Sequence, residues 1–406
     1  MTDILAGTLL LTALIALLTL TVLTARRLLS PMRPVTVSVN GTKDIETTTG
    51  QKLLSALNDH GVLVPSACAG AGTCGLCRVT ITKGGADALP TEAARLSRAE
   101  LRDGVHLACQ VVLRDDMAVE VPASMLNAAS YETIVRSTRH LTPLIREIVL
   151  ELPQDMRPEI VAGSFVQVTA PPFALHFADL VVPEAFSAGW DQLRDLSVES
   201  STEVTRAYSI SDRPEDIAAG RIVLNIRLAL PPPSAPDAPP GIVSSWLFAL
   251  KPGDKVQTGG PFGSVRVQDT QAEMVFIGGG VGMAPLRAMI FEQLESVGTG
   301  RKMSFWYGAR STTEMFYSDE FEALAKAHPN FDWTVALSDP GPEDDWQGAT
   351  GFVHQVVLDS YLGKHPDPAC CEYYLCGPPL MIRAVLAMLD DLGVPSSHIF
   401  NDDFGV

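Results

Sequence analysis

Four cysteines stand at a spacing that leaves few folds open to this chain. Cys68, Cys74 and Cys77 crowd into Cys-Ala-Gly-Ala-Gly-Thr-Cys-Gly-Leu-Cys, and Cys109 lies downstream in His-Leu-Ala-Cys-Gln-Val, giving C-x5-C-x2-C-x31-C. Three side chains on one loop meet a distant fourth only if the segment between them folds back as a small domain. Thiolates are metal ligands, and a loop triplet plus one remote thiolate suits a [2Fe–2S] cluster. Gly70, Gly72 and Gly75 suit it too, because glycine lets the backbone wrap closely and aim N–H groups at sulfur. Zinc is the rival reading, although structural zinc usually takes two C-x2-C knuckles. Buried thiols without a metal are the remaining one. Cys370 and Cys371 show no partner pattern and read as structural.

The first residues read as a membrane anchor. Positions 4–25 are 22 consecutive uncharged residues, mostly Leu, Ala, Ile, Val and Thr. At ~1.5 Å per residue a helix of that length reaches about 33 Å, enough for a ~30 Å hydrocarbon core. Arg26, Arg27 and Arg33 follow it, whereas Asp3 precedes it. Basic flanks stay inside, so a single pass with the N-terminus outside and the remainder in the cytoplasm is expected. A cleaved signal peptide fits less well: there is no basic start, the apolar run is long and no A-x-A site follows. Cytoplasmic thiols are reduced, which favours ligand or buried roles over disulfides.

With 406 residues, 46% of them hydrophobic and 19% charged, the chain has material for two or three packed domains. Lys plus Arg number 30 against 47 Asp plus Glu, a net charge of −17, which argues against a nucleic-acid partner. After residues 1–33 (the span and its basic flank), the pattern divides into three. Residues 34–128 open on alternating Val35, Val37 and Val39 with a turn at Asn40-Gly41, then a short helix near 53–59 and a strand near 117–121, as in a small α+β unit. Residues 129–268 are rich in strands, near 147–152, 165–169, 207–210 and 221–230, with Pro and Gly between them, predicting an antiparallel barrel interrupted by a Pro-rich stretch at 231–240. Residues 269–406 alternate apolar strands (274–277, 302–307, 333–337, 373–376) with helical segments, predicting a parallel α/β sheet.

The strand-rich part carries a flavin pattern. In Arg206-Ala207-Tyr208-Ser209, alternation puts Arg206 and Tyr208 on one face, where Arg can grip a diphosphate and Tyr can offer a flat surface to a ring system. The Ser209 hydroxyl can reach the ring edge that receives hydride. A tyrosine in a strand is more often core, so the four residues alone are weak. Gly241-Ile242-Val243-Ser244-Ser245 reads as a turn opening a helix, an anion site that would engage Gly241, Val243, Ser244 and Ser245. Gly260-Pro261-Phe262-Gly263 closes the region, as an ordinary turn or a functional one.

The last part carries a nicotinamide pattern. Val275-Phe276-Ile277 runs into Gly278-Gly279-Gly280-Val281-Gly282-Met283-Ala284-Pro285, a buried strand, a glycine turn and a helix start. A second strand ends at Cys376-Gly377-Pro378-Pro379, and in an open parallel sheet both turns border one crevice. Cys376 can pack against a nicotinamide ring there; a buried small residue is the plain alternative. Phe404, near the end of the chain, is a stacking aromatic or a frayed end.

Arg-Ala-Tyr-Ser, the glycine turn and Cys-Gly-Pro-Pro, in that order, resemble the ferredoxin–NADP reductase superfamily. The cysteine spacing is similar to that of plant-type ferredoxins, with a first gap of x5 in place of x4. A membrane helix, then a ferredoxin-like domain, then the reductase resembles the F-subunit family of the bacterial Na+-translocating NADH:quinone reductases over essentially the whole chain. The match includes Asn225-Ile226-Arg227, Phe305 to Arg310, Glu314 to Tyr317, Asp402 to Gly405 and an insertion near 176–204. Val406 stands where Gly is expected.

That resemblance implies a transmembrane helix, an α+β [2Fe–2S] ferredoxin-like domain, an antiparallel β-barrel FAD domain and an α/β parallel-sheet NADH domain. It implies that Cys68, Cys74, Cys77 and Cys109 hold the cluster and that Arg206, Tyr208, Ser209 and residues 241–245 bind FAD. Gly278, Gly279, Gly280, Gly282, Cys376, Gly377 and Pro378 would then serve NADH, with Ser209, Cys376 and Phe404 around the reacting rings. Hydride would pass from NADH to FAD, and single electrons through the cluster to other membrane subunits of a sodium-pumping complex in the bacterial inner membrane. Quinone would be reached only through those partners. A soluble oxygenase reductase shares the modules but not the apolar N-terminus. A membrane-tethered redox sensor would lack a complete NADH site. NADH over NADPH rests on the resemblance, to which Glu314 and its acidic neighbours add repulsion of a 2′-phosphate, while Arg310 argues the other way.

Overall fold

The computed structural model describes residues 7, 10–21, 32–68, 70–126, 128–154, 159–232, 234–263 and 265–401. Residues 10–21 are helical, and the hydroxyls of Thr19 and Thr21 donate to the carbonyls of Ile15 and Leu17 at 2.8 Å. Among the described residues no helix is long and apolar enough to cross a membrane. The rest of the expected 4–25 span, Gly7 apart, lies outside them, as do residues 402–406 with Phe404. The chain forms two compact units, one including residues 34–64 and 70–122, the other residues 65–69 and 123–401.

In the first unit, β1 (Pro34–Val39) and β2 (Lys43–Thr48) form the expected hairpin. Asn40 and Gly41 both take positive φ, which these two residue types tolerate best, and with Thr42 they form a three-residue loop between the register partners Val39 and Lys43. β3 (Arg78–Lys83), β4 (Val105–Leu107) and β5 (Met117–Glu120) complete a mixed sheet of order β2-β1-β5-β3-β4, in which β1 and β5 run parallel. Val35, Val37 and Val39 point one way and are buried, and helix Leu53–Asp59 buries Leu53, Ala56 and Leu57.

Among the described residues the second unit holds three sheets. Strands β6 (Ala129–Thr142), β7 (Ile145–Glu151), β8 (Phe165–Ala170), β11 (Val204–Ser209), β12 (Arg221–Arg227) and β13 (Lys255–Phe262) form an antiparallel sheet of order β11-β8-β13-β6-β7-β12, while β9 (Phe173–His176) pairs with β10 (Ser197–Ser200) alongside. The two outer strands of the six meet again: Ile210 bridges Leu224, and Ser211 N–H donates to the Val223 carbonyl at 2.8 Å. Ile148, Leu150, Val166, Val168, Leu224 and Val256 fill the interior. Phe177 and Trp190, from the 176–204 stretch, join that core, and the Trp190 indole N–H donates to the Pro143 carbonyl at 2.8 Å. The Pro-rich stretch is a closed excursion, since Gly241 N–H donates to the Ala229 carbonyl at 2.8 Å where it returns.

Strands β14 (Met274–Gly279), β15 (Met303–Ala309), β16 (Phe331–Leu337), β17 (Ala349–Thr350), β18 (Glu372–Cys376) and β19 (Ile399–Asn401) form a wholly parallel sheet of order β17-β16-β15-β14-β18-β19. β14 is flanked by β15 on one side and by the much later β18 on the other, so the chain reverses its winding direction between β14 and β18. At the opposite, N-terminal edge a buried ion pair ties the strands together. Arg301 Nη2 lies 2.5 Å from Glu372 Oε2, with side chains only 6% and 5% exposed. Carbonyls of Ala272 and Gln268 take the other guanidinium protons, and the Thr270 and Tyr374 hydroxyls donate to the carboxylate. Because every arm is satisfied, removing one partner strands a buried charge. Arg301→Met is expected to cost about 3–5 kcal/mol, read as a lowered urea midpoint at unchanged m-value; a shift within error would refute the assignment.

Candidate functional site

The gap of 31 residues between Cys77 and Cys109 is closed by one strand pair. β3 follows Cys77 and β4 precedes Cys109, Arg78 is in register with Leu107, and Ala108 N–H donates to the Cys77 carbonyl at 2.8 Å. Glu92 pins the approach: its buried carboxylate accepts from Leu107 N–H at 2.8 Å and lies 3.2 Å from His106 Nδ1. Cys74, Cys77 and Cys109 are all buried. A hydrogen bond with Cys109, followed by burial, pushes the Cys77 thiol far up, and Cys74 adds to it. Three sulfurs this close and this dry cannot all ionise unless a cation neutralises them, which is the donor chemistry an iron–sulfur cluster needs. Gln110 Nε2 donates to Cys109 Sγ at 3.3 Å and to the Gly70 carbonyl at 3.2 Å, tying loop to strand. Gly72 has φ +80°, which favours glycine, and a Cβ there would lie 2.7 Å from that amide and displace the Gln110 side chain. Cys68 belongs to residues 65–69 of the other unit, where its Sγ lies 4.0 Å from Ser66 Oγ.

In the antiparallel sheet, β11 carries Arg206, Tyr208 and Ser209, all half-buried, opposite Val168, Val166 and Phe165 of β8. Burial pushes the Tyr208 hydroxyl well up and Arg206 offsets part of it; two positions apart on one strand, the two residues lie on the same face. Gly241 is the N-cap of helix Ile242–Ala249. Ser244 Oγ is used within the fold, donating to the Gly241 carbonyl at 3.0 Å and accepting from Ala229 N–H at 3.2 Å. Ser245 Oγ in the same turn is buried without a hydrogen-bond partner. An orphaned hydroxyl beside the free N–H groups of a helix start is a fit for the phosphates of a dinucleotide. Val243 is buried and serves packing.

Gly278 and Cys376 are register partners at the C-terminal ends of β14 and β18, where the strand order reverses. Ligands of open α/β sheets gather at such a point. Gly278, Gly279, Gly280 and Gly282 thus border one edge with Cys376, Gly377 and Pro378. A Cβ on Gly282 would lie 2.0 Å from the Cys376 carbonyl oxygen, so glycine there admits the second turn of the chain itself. Gly280, with φ +55°, faces more open space toward Arg227 of β12, and its carbonyl accepts from the Tyr307 hydroxyl at 3.2 Å. Cys376 is 6% exposed and packs with Met283 and Tyr374 in the core.

The 2Fe-2S iron-sulfur cluster binding domain family matches residues 37–114, and the oxidoreductase NAD-binding domain family matches residues 276–387. A Neisseria meningitidis protein, named as the F subunit of the Na(+)-translocating NADH-quinone reductase, is 45% identical over 405 residues, spanning 99% of this chain and 100% of the relative. One of the same name in Yersinia enterocolitica is 46% identical over 407 residues, with the same coverage. The chain belongs to the F-subunit family of the Na(+)-translocating NADH-quinone reductases. Among solved structures, Amycolatopsis cytochrome P450 reductase GcoB superposes with a TM-score of 0.63 at 25% identity, covering 91% of this chain and 98% of that one. The ferredoxin reductase in carbazole 1,9a-dioxygenase shares the fold with a TM-score of 0.58 at 24% identity, covering 92% and 99%.

Within this member of the F-subunit family, several residues near the reductase edge belong to no recognisable motif. Tyr317, at φ +60°, donates to Glu147 Oε2 at 2.5 Å and accepts from Asn225 Nδ2 at 2.8 Å, joining the parallel-sheet part to β7 and β12. The Arg287 guanidinium lies 4.4 Å from its ring centroid and pairs with Glu320. Arg287 lies two residues beyond the 278–285 run, and Asn225 and Tyr317 stand in the sequence only as parts of matched strings. Their meeting depends on three segments far apart in sequence. Arg310 pairs with Asp339 at 3.9 Å on the surface, which tempers the one cation that argued for a 2′-phosphate.

Proposed function

We infer that this chain is the NADH-oxidising electron-input subunit of a sodium-translocating NADH:quinone oxidoreductase. The observation that carries the reading is identity of 45% across 99% of the chain to a full-length F-subunit protein. The fold alone does not decide it, because oxygenase-type reductases share the same modules. When bound, FAD would accept hydride from NADH and a [2Fe–2S] cluster would carry single electrons onward.

The chain's own part is to bind, orient and exclude water. Cys68, Cys74, Cys77 and Cys109 would hold the iron, with Gln110 donating to the Cys109 sulfur. Arg206 and the 241–245 turn would grip the FAD diphosphate, Ser245 through its free hydroxyl, and Tyr208 and Ser209 would seat its ring. The 278–282 turn would take the NADH diphosphate beside Arg227, with Cys376, Gly377 and Pro378 lining the nicotinamide side and Phe404 covering the flavin. No acid–base pair is called for, since hydride transfer moves no proton through a side chain.

Residues 4–25 would anchor the chain by one pass in the bacterial inner membrane, N-terminus outside and catalytic domains in the cytoplasm. Other membrane subunits would receive the electrons and deliver them to quinone. Residues 129–401 carry most of the acidic surplus behind the net −17, so Arg206, Arg227 and the helix N-termini must supply local positive potential for two anionic dinucleotides.

Anaerobic NADH titration of the full-length chain is expected to bleach flavin and iron–sulfur absorbance together. In the assembled complex, quinone reduction should then rise with Na+. Flavin bleaching with no iron–sulfur change, or delivery of electrons to a soluble oxygenase with no copurifying membrane subunits, would overturn the reading.

A further inference from the structure

At the N-terminal edge of the parallel sheet, away from the glycine turns, three side chains that the proposed redox path does not use converge. Glu273 immediately precedes β14, Cys371 immediately precedes β18, and His365 lies in the segment between helix Val353–Ser360 and β18. Their ligand atoms all lie within 4.8 Å of one another. His365 Nε2 is 3.2 Å from Glu273 Oε2 and 3.9 Å from Cys371 Sγ. Cys371 is buried, and the His365 and Glu273 side chains are 13% and 14% exposed.

We propose that Glu273, His365 and Cys371 form a Zn2+ site. With Zn–S of ~2.3 Å and Zn–N and Zn–O of ~2.0–2.1 Å, a tetrahedron has edges of about 3.3–3.6 Å; the two separations from His365 Nε2, 3.2 and 3.9 Å, lie within a few tenths of an ångström of that, and the third, within 4.8 Å, closes by movement of the Cys371 or Glu273 side chain. One sulfur, one imidazole and one carboxylate are a borderline-soft set that suits zinc better than calcium or magnesium. The carboxylate is already oriented for single-oxygen ligation. Its Oε1 accepts from the Tyr361 hydroxyl and lies 3.5 Å from Lys302 Nζ, leaving Oε2 toward His365. Such an outer contact is how metal-binding side chains are usually fixed.

Two groups oppose the ion. Lys302 brings a positive charge, but its side chain is 51% exposed and can swing into water. Asp367 N–H, 3.2 Å from His365 Nδ1, must give way so that the ring proton can move to Nδ1 when zinc takes Nε2. With zinc bound, the segment leading into β18 is clipped to the base of β14. The role is structural and lies at the edge opposite the nucleotide turns.

The test is equilibrium dialysis of the full-length, flavin- and cluster-loaded chain against Zn2+, followed by zinc analysis and zinc-edge X-ray absorption. The expected result is one equivalent retained, with one sulfur at about 2.3 Å and the remaining ligands nitrogen or oxygen. Cys371→Ser and His365→Gln should each remove that equivalent, while Tyr361→Phe, which removes the hydroxyl that donates to the carboxylate and accepts from Lys302 Nζ, should weaken binding on the order of 10–100-fold. Flavin content and far-ultraviolet circular dichroism show that each variant is folded. No zinc retained, retention unchanged in both ligand variants, or a shell of sulfur alone, which would locate the ion at the iron–sulfur cysteines, would overturn the proposal.

Discussion

Cys109→Ala should abolish electron exit from the chain while leaving its oxidation of NADH intact. The iron–sulfur resonance in the reduced protein is expected to vanish, quinone reduction by the complex to fall to background, and NADH–ferricyanide activity and FAD content to stay near wild type. The reason lies in the separation of parts. Cys74, Cys77 and Cys109 belong to the first unit, whereas the Arg206–Ser209 strand, both glycine-bordered turns and, of the four expected ligands, Cys68 belong to the second. If Cys109 is one of four ligands, its loss would leave the iron an incomplete shell, and the cluster is expected to be lost. The substitution itself is mild for the fold: Cys109 is small and buried, and the pairing of Arg78 with Leu107 and the anchor of Leu107 on Glu92 involve backbone atoms that alanine preserves. An unchanged electron paramagnetic resonance spectrum would remove Cys109 from the ligand set. A loss of FAD alongside the cluster would mean that the two units are not independent in folding.

The second large effect is expected at Gly282. An added Cβ would meet the Cys376 carbonyl oxygen at 2.0 Å and the Gly377 nitrogen at 2.7 Å, and both are backbone atoms at the end of β18. Neither can step aside without moving the strand end that borders the proposed nicotinamide position. Overpacking of this kind costs ~1–3 kcal/mol or more. A displacement of about 1 Å between reacting groups can cost on the order of 100-fold in rate. Gly282→Ala should therefore lower both the melting temperature and kcat/KM for NADH. Gly280→Ala is the informative comparison. Its Cβ would find Arg227 Nη1 at 3.8 Å and nothing nearer, so its cost is the left-handed φ alone, roughly 1–2 kcal/mol. If Gly280→Ala proved the more damaging for both readouts, the turn would be shaped chiefly by its ligand, and the account of Gly282 as a chain-on-chain contact would fall.

Much of this arrangement is readable from local chemistry. Alternating valines and Asn-Gly specify the first hairpin, because the turn takes positive φ at both positions and asparagine and glycine tolerate it. The apolar run 274–277 followed by glycines predicts β14 and its turn, and the observed strand, Met274–Gly279, continues through the first two of those glycines. β13 is the harder case. It runs Lys255–Phe262 through Gly259, Gly260 and Pro261, residues that normally mark a turn. They are tolerated because Gly260 and Pro261 fall where the pairing with β8 shifts register, between Gly259 and Phe262. The 176–204 stretch reads as an insertion, and nothing in its composition says that Phe177 and Trp190 complete the core of the antiparallel sheet.

Residue order alone set the chemistry available to this protein: which thiols can meet a metal, which turns can admit a diphosphate, and in what order three modules follow one another. These follow from spacing and residue type, which act over a few positions. Which of those groups remain free was settled by the packing of distant segments. Ser244 and Ser245 are neighbours of the same kind, yet one hydroxyl caps its own turn while the other is left buried and unpaired. Gly280 and Gly282 stand two residues apart, yet one faces open space and the other a carbonyl. Glu273 stands about 100 residues before His365 and Cys371, and the parallel pairing of β14 with β18 brings it beside them. Hydrogen-bond saturation and close packing depend on neighbours far away in the chain, and no local pattern of residues encodes them.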